Sequence, residues 1–155
     1  MAAEYSANTV QTVNPGESII FTEAPVPCNR GFVRHRDGSG SFLLAGKVLR
    51  NSCGCYPQSA NYLVDFGANI AIPTGGTAGS TITVAIAIDG STIPSSQMDV
   101  TPAAVEEYFN VSRAITAQVW SGCCETISVR NISDQPILVQ NANILFSRPD
   151  LAVTR

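Results

Sequence analysis

Charge is scarce in this chain. Only 14% of its 155 residues are charged, where ordinary soluble domains carry about 25%. Lys47 is the single lysine, the arginines are scattered, and the formal charge is -3. Phosphate neutralisation needs clustered Lys and Arg, so the composition argues against a nucleic-acid partner. Long apolar runs are missing too. Nothing approaches the roughly 18 consecutive apolar residues of a spanning helix, so no membrane partner is expected. The first eight residues, Met-Ala-Ala-Glu-Tyr-Ser-Ala-Asn, have neither a basic lead nor an apolar core, and no conventional signal peptide is read there. The expectation is a chain made in the cytoplasm. With His35 the one histidine and no Gly-X-Ser-X-Gly elbow, a hydrolase triad lacks its parts. The chain is not expected to be an enzyme.

What is plentiful is apolar residues, at 45%. A surface so poor in charge must be covered by Ser, Thr, Asn and Gln, or be withdrawn from water by association. Interface cores are depleted in charge, so the composition leans towards an oligomer. The strongest local pattern is residues 80–89, Ser-Thr-Ile-Thr-Val-Ala-Ile-Ala-Ile-Asp. Ile82, Val84, Ile86 and Ile88 share one face of a strand, and that face must be buried. The other face carries Thr83, Ala85 and Ala87, where a solvated strand would place charged or larger polar groups. Those three are the expected oligomer contact.

The remaining pattern is also β. Residues 8–13 alternate, Asn14-Pro15-Gly16 turns, and residues 17–22 read as the next strand. Residues 31–36 and 41–46 flank Asp37-Gly38-Ser39-Gly40 as a hairpin. Residues 61–72 read as a strand bent or bulged near Gly67, Asp89-Gly90 closes another hairpin, and strands are expected over 114–120, 125–132 and 137–148. Thr101-Pro102 offers the one helix start, good for a turn or two. Roughly nine or ten strands at 8–12-residue spacing predict an all-β antiparallel two-sheet sandwich, with a jelly roll as first topology. Residues 1–12 form an N-terminal arm or first strand, and 13–155 a single jelly-roll domain.

The run Glu-Thr-Ile-Ser-Val-Arg-Asn-Ile-Ser-Asp-Gln-Pro-Ile-Leu-Val-Gln-Asn-Ala-Asn-Ile-Leu-Phe, 125–146, resembles the closing two strands of tumour-necrosis-factor-like jelly rolls. The members in view are those that end collagen-like surface proteins of Gram-positive bacteria. The stretches 62–90 and 101–112 resemble a variant of that module in phage and prophage proteins of gut bacteria. The resemblance implies a homotrimer around a threefold axis, acting in structure or surface recognition without catalysis. The sequence holds no Gly-X-Y repeat, so the collagen-stalk version is not the expected one.

Chemical motifs are weak by comparison. Cys28, Cys53, Cys55, Cys123 and Cys124 are the five cysteines. Zinc ligands usually come in pairs two residues apart, and here the paired gaps are one and zero. Free thiols and disulfides among Cys53, Cys55, Cys123 and Cys124 both stand, the latter requiring the two loops to meet at one end of the sandwich. No metal or cofactor is expected. His35-Arg36-Asp37 spells a kinase tripeptide without a nucleotide loop or strand lysine, so a hairpin position explains it. Gly75 to Thr81 lacks the lysine and helix of a phosphate loop. Glu106 and Glu107, being adjacent, point apart. Asn110 and Asn131 fit the glycosylation pattern by chance.

Two functional expectations follow. The first is a structural virion protein of a phage, a trimer that decorates or cements a capsid lattice and whose partner is the major capsid protein or another lattice subunit. Its N-terminal residues would run along a neighbouring subunit. The second is a carbohydrate- or receptor-binding module, which requires aromatics exposed at one end, with Tyr56, Tyr62, Tyr108 and Trp120 as the residues to check.

Overall fold

The computed structural model describes residues 2–28, 30–50 and 53–151. Two antiparallel sheets face each other as a jelly roll, and apart from one 3-10 turn at Pro94–Ser96 no helix occurs among the described residues. In chain order the strands are β1 Ala2–Ala7, β2 Gln11–Val13, β3 Glu23–Val26, β4 Val33–His35, β5 Phe42–Ala45 and β6 Ser59–Ala71. They continue with β7 Ile82–Ile88, β8 Ser91–Thr92, β9 Met98–Val100, β10 Phe109–Trp120, β11 Cys124–Asn131 and β12 Ile137–Ser147. The first sheet runs β10-β6-β12-β1-β3 with β2 added to β12; the second runs β4-β5-β11-β7-β8 with β9 added to β7.

The alternating sequence places the core between them. Ile82, Val84 and Ile86 are fully buried, as are Ile127 and Val129 of the neighbouring β11 and Val64, Phe66, Ile70, Ile144 and Phe146 of the facing sheet. Tyr5, Phe21, His35, Phe42 and Phe146 form an aromatic cluster, with His35 stacked on Phe42 at 4.2 Å between ring centroids. The imidazole is anchored at both edges, Nδ1 at 2.9 Å from Ser41 O and Nε2 at 3.1 Å from Phe21 O. His35 is thus a half-buried polar position on the hairpin strand β4, as the hairpin reading required.

Four local expectations change. The start at Thr101 forms turns rather than a helix, because its backbone serves tertiary partners: Pro102 O accepts from Gly79 N–H, and Glu106 N–H donates to Ile72 O. Residues 17–22 make single bridges at Ser18 and Phe21 rather than a strand. Gly67 keeps register with Ser112, and the irregularity lies in the partner β12 between Gln140 and Asn143, where Asn141 has φ 53°. Asn tolerates that left-handed region better than most residues, and two residues there oppose Ala68 alone, a bulge. Lastly, the N-terminal residues are paired inside their own chain. β1 lies between β12 and β3, and β2 continues along β12, so this backbone is committed before any neighbour arrives.

Candidate functional site

Two surfaces and one cleft carry the groups worth weighing. On β7, Ala85 and Ala87 are fully buried within the single chain. Register places Arg130 opposite Ala85 and Ser128 opposite Ala87, and directly paired residues share a face. Arg130 fixes its guanidinium over that side of the sheet by donating to Gly16 O and, at 2.8 Å, to Gly90 O. Thr83 is half-buried and donates to Asp99 Oδ1 at 2.7 Å. The Thr83, Ala85, Ala87 face was expected to meet another copy. In the folded chain its two alanines have no accessible surface left, and the chain's own Arg130 shares that side of the sheet.

The outer face of the first sheet is differently composed. Pairing sets Asn110, Ser112, Ala114, Thr116, Gln118 and Trp120 of β10 beside outward residues of β6, among them Ser59, Asn61, Leu63 and Asp65. Leu145 pairs with Asp65 and with Glu4. Among the described residues no lysine or arginine stands on this face: Arg113 alternates to the other side of β10 and donates to Gln97 O at 2.9 Å. Leu63 is 38% exposed and Trp120 54%.

The two cysteine loops do meet at one end of the sandwich. Gly46 N–H donates to Cys123 O at 2.7 Å, Gly122 N–H to Gly46 O at 3.1 Å, and Ser121 N–H to Gln58 O at 2.9 Å. Cys53, Cys55, Cys123 and Cys124 are all exposed there. Leu49, Tyr56 and Trp120 are exposed at the same end, with the Arg50 guanidinium 5.6 Å from the Tyr56 ring centre. Of the other aromatics singled out, Tyr62 is fully buried and Tyr108 is half-buried at the opposite end of β10. Tyr62 instead donates to Phe32 O and Ala45 O, at 2.9 and 2.5 Å. Asn131 is buried and donates to Val13 O and Gln135 O, which keeps its amide from any glycosylation.

An open cleft lies between β1, β3 and β4, with Tyr5 and Cys28 among its lining groups. Sequence reasoning passed over it, since no motif marks it. Burial pushes the Cys28 thiol up, but hydrogen bonds from the backbone N–H groups of Val33, Arg30, Phe32 and Gly31 outweigh burial and hold it below the usual range. Among the described residues no group of three or more His, Cys, Asp or Glu could hold a metal. No described helix is long and apolar enough to cross a membrane.

With this geometry in place, solved structures supply a fold class. The chain superposes on "Eiger TNF" from S. frugiperda with a TM-score of 0.66, 12% identity, 100% of this chain and 94% of that one. Murine APRIL matches at 0.63 and 10% identity over 96% and 99%, and the globular domain of zebrafish complement 1qA protein at 0.62 and 8% over 96% of each. The fold is a tumour-necrosis-factor-like jelly roll. No protein-family model and no curated protein sequence matches the chain.

Proposed function

We propose that the chain is a homotrimeric structural protein of a phage virion, seated as decoration or cement on the capsid lattice. The observation that carries self-association is the outer face of the β10-β6-β12-β1 sheet, where Leu63, Leu145, Ala114 and Trp120 stand among polar side chains and the two carboxylates Asp65 and Glu4, with no cation among the described residues. Leu63 and Trp120 lie open on this face, and exposed apolar side chains gathered on one surface favour association. The tumour-necrosis-factor-like fold supports a threefold arrangement of such faces. We place the contact there rather than at Thr83, Ala85 and Ala87, whose alanines are covered inside the chain. The loop end with Leu49, Arg50 and Tyr56 then remains free to meet the lattice subunit.

A second reading rests on the same end. Tyr56 and Trp120 are exposed near one another's strand and loop ends, as a carbohydrate- or receptor-binding module would require. Electron cryo-microscopy of the native assembly separates them. Copies in threefold groups on a regular shell support the first proposal. Copies confined to fibres or appendages, with glycan affinity that Tyr56→Ala abolishes, support the second and overturn the first.

A further inference from the structure

Four of the five cysteines stand in the two connections at one end of the sandwich, and strand order makes those connections neighbours. β5 lies beside β11 in one sheet and β6 beside β10 in the other, so the passage from β5 to β6 and the turn from β10 to β11 both cross between the sheets at that end. Register fixes the two crossings at both feet, with Cys124 paired to Ala45 in one sheet and Trp120 to Ser59 in the other. Backbone hydrogen bonds carry the pairing beyond the strands, from Gly46 N–H to Cys123 O and from Ser121 N–H to Gln58 O. The 121–123 turn is therefore held between the start and the finish of the longer connection.

Alternation then separates the candidate sulfurs. Leu44 is buried in the core and Ala45 is half-buried, so Ala45 faces outward from its sheet, and Cys124, its direct partner, shares that face. Cys123 lies off the strand, in the turn that crosses between the sheets, and the Gly46 N–H on its carbonyl sets it against the longer connection. Neighbouring Cα atoms are about 3.8 Å apart, closer than the roughly 4.4–6.8 Å that a disulfide spans, so Cys123 and Cys124 do not suit each other. In the longer connection Cys55 stands three residues before Gln58, and three peptide units reach at most about 11 Å. Cys53 is further from that foot, beyond Gly54 with its φ of 80°. The Arg50 guanidinium, 5.6 Å from the Tyr56 ring centre, draws the connection together beside Cys55. Both Cys55 and Cys123 are exposed, so a reagent can reach either sulfur.

We propose that Cys55 and Cys123 form an intrachain disulfide when the protein meets a small-molecule disulfide such as oxidised glutathione. One cysteine thiolate attacks a sulfur of the oxidant and expels a glutathione thiolate. The other cysteine thiolate attacks the protein sulfur of that mixed disulfide and expels the second glutathione thiolate. Two protein thiols are oxidised, the S–S bond of the oxidant is reduced, and the two protons given up pass through water to the departing thiolates. The new bond locks the connection that carries Tyr56 onto the turn that follows Trp120, whatever that end of the molecule binds.

The test incubates the intact chain with oxidised glutathione, blocks remaining thiols by alkylation, and maps a tryptic digest by mass spectrometry without reduction. Cleavage after Arg50, Arg113 and Arg130 puts Cys55 in peptide 51–113 and Cys123 in peptide 114–130. The expected product is these two peptides joined, from a chain whose intact mass has fallen by about 2 Da and which runs as one chain under denaturing, non-reducing conditions. Reduction should separate them. Cys55→Ser and Cys123→Ser should each abolish the joined product, while Cys53→Ser and Cys124→Ser keep it. Its yield should be unchanged by a dilution of about tenfold, since both thiols belong to one chain. Absence of the joined product, its survival in Cys55→Ser or Cys123→Ser, a bond closed within residues 53–55, or a product confined to covalent dimers overturns the proposal. Fragmentation of the joined peptides from the wild-type chain locates the bond even if a variant fails to fold.

Discussion

Arg148 is lost from solvent, yet each of its three guanidinium nitrogens donates a hydrogen bond. Its Nη1 donates to Lys47 O at 2.8 Å, its Nε and Nη2 reach both Asp150 oxygens at 2.8 Å, and its guanidinium lies 4.8 Å from the Tyr62 ring centre. Burial opposes the Asp150 charge, but the Arg148 hydrogen bonds and the Asn61 N–H outweigh burial and hold the carboxyl below the usual range. A depressed carboxylate means that the folded state binds fewer protons than the unfolded one. Its contribution is therefore complete above about pH 4 and is lost as pH falls through the lower folded value. Asp150→Ala should cost about 3 kcal/mol at pH 7 and flatten the acid limb of the stability curve. Denaturant melts of both proteins at pH 7 and pH 3 check this; an acid limb as steep in the variant as in the parent would sink the clamp. Little of this was legible in sequence: Arg148 and Asp150 stand two residues apart, but Lys47 is 101 residues from Arg148 and Asn61 is 89 from Asp150. Tyr62 shows the same limit. Alone in a sequence it suits an exposed binding platform; in the fold its hydroxyl closes onto two carbonyls.

Strands were legible where alternation was long. Residues 82–88 and the closing pair 124–131 and 137–147 fall where period-two patterning puts them, since one buried face fixes both element and register. Short elements were harder. Tyr5 and Ala3 mark only half of a strand pattern, yet β1 is central, because β12 and β3 supply the hydrogen bonds that six residues cannot specify. The failed helix at Thr101 is the converse: good capping chemistry loses to Ile72 O and Gly79 N–H, which take its backbone groups. Gly46 is the joint between elements that sequence least advertised. A Cβ there would collide with Trp120 O and stand 2.9 Å from Cys123 O, so the β5 end and the 121–124 turn must part. Gly46→Ala should cost about 3 kcal/mol, read from the thermal midpoint. A variant that melts with the parent would show that the two loops are not joined there.

At the scale of the whole molecule, scarcity of charge is the sequence feature that reaches furthest. It pointed to association before any strand was placed, but not to the face, because Thr83, Ala85 and Ala87 look equally idle whether a partner or the chain's own Arg130 covers them. The two arrangements have different consequences for mutation. Ala85→Arg places a cation in a site with no accessible surface and should abolish cooperative unfolding rather than yield a folded monomer. Leu63→Arg puts the same charge on the open face of β6 and should leave the monomer's sheets intact. Far-ultraviolet circular dichroism and melting distinguish the two; a folded, dissociated Ala85→Arg would return the contact to β7.

Sedimentation equilibrium of the native chain and of Leu63→Arg bears most directly on the association. The native protein should sediment at about three times its 16.3 kDa chain mass across a hundredfold dilution from micromolar concentration, and Leu63→Arg should sediment at the mass of one chain. A native protein that stays a single chain throughout, or a variant that keeps the native mass, would contradict it.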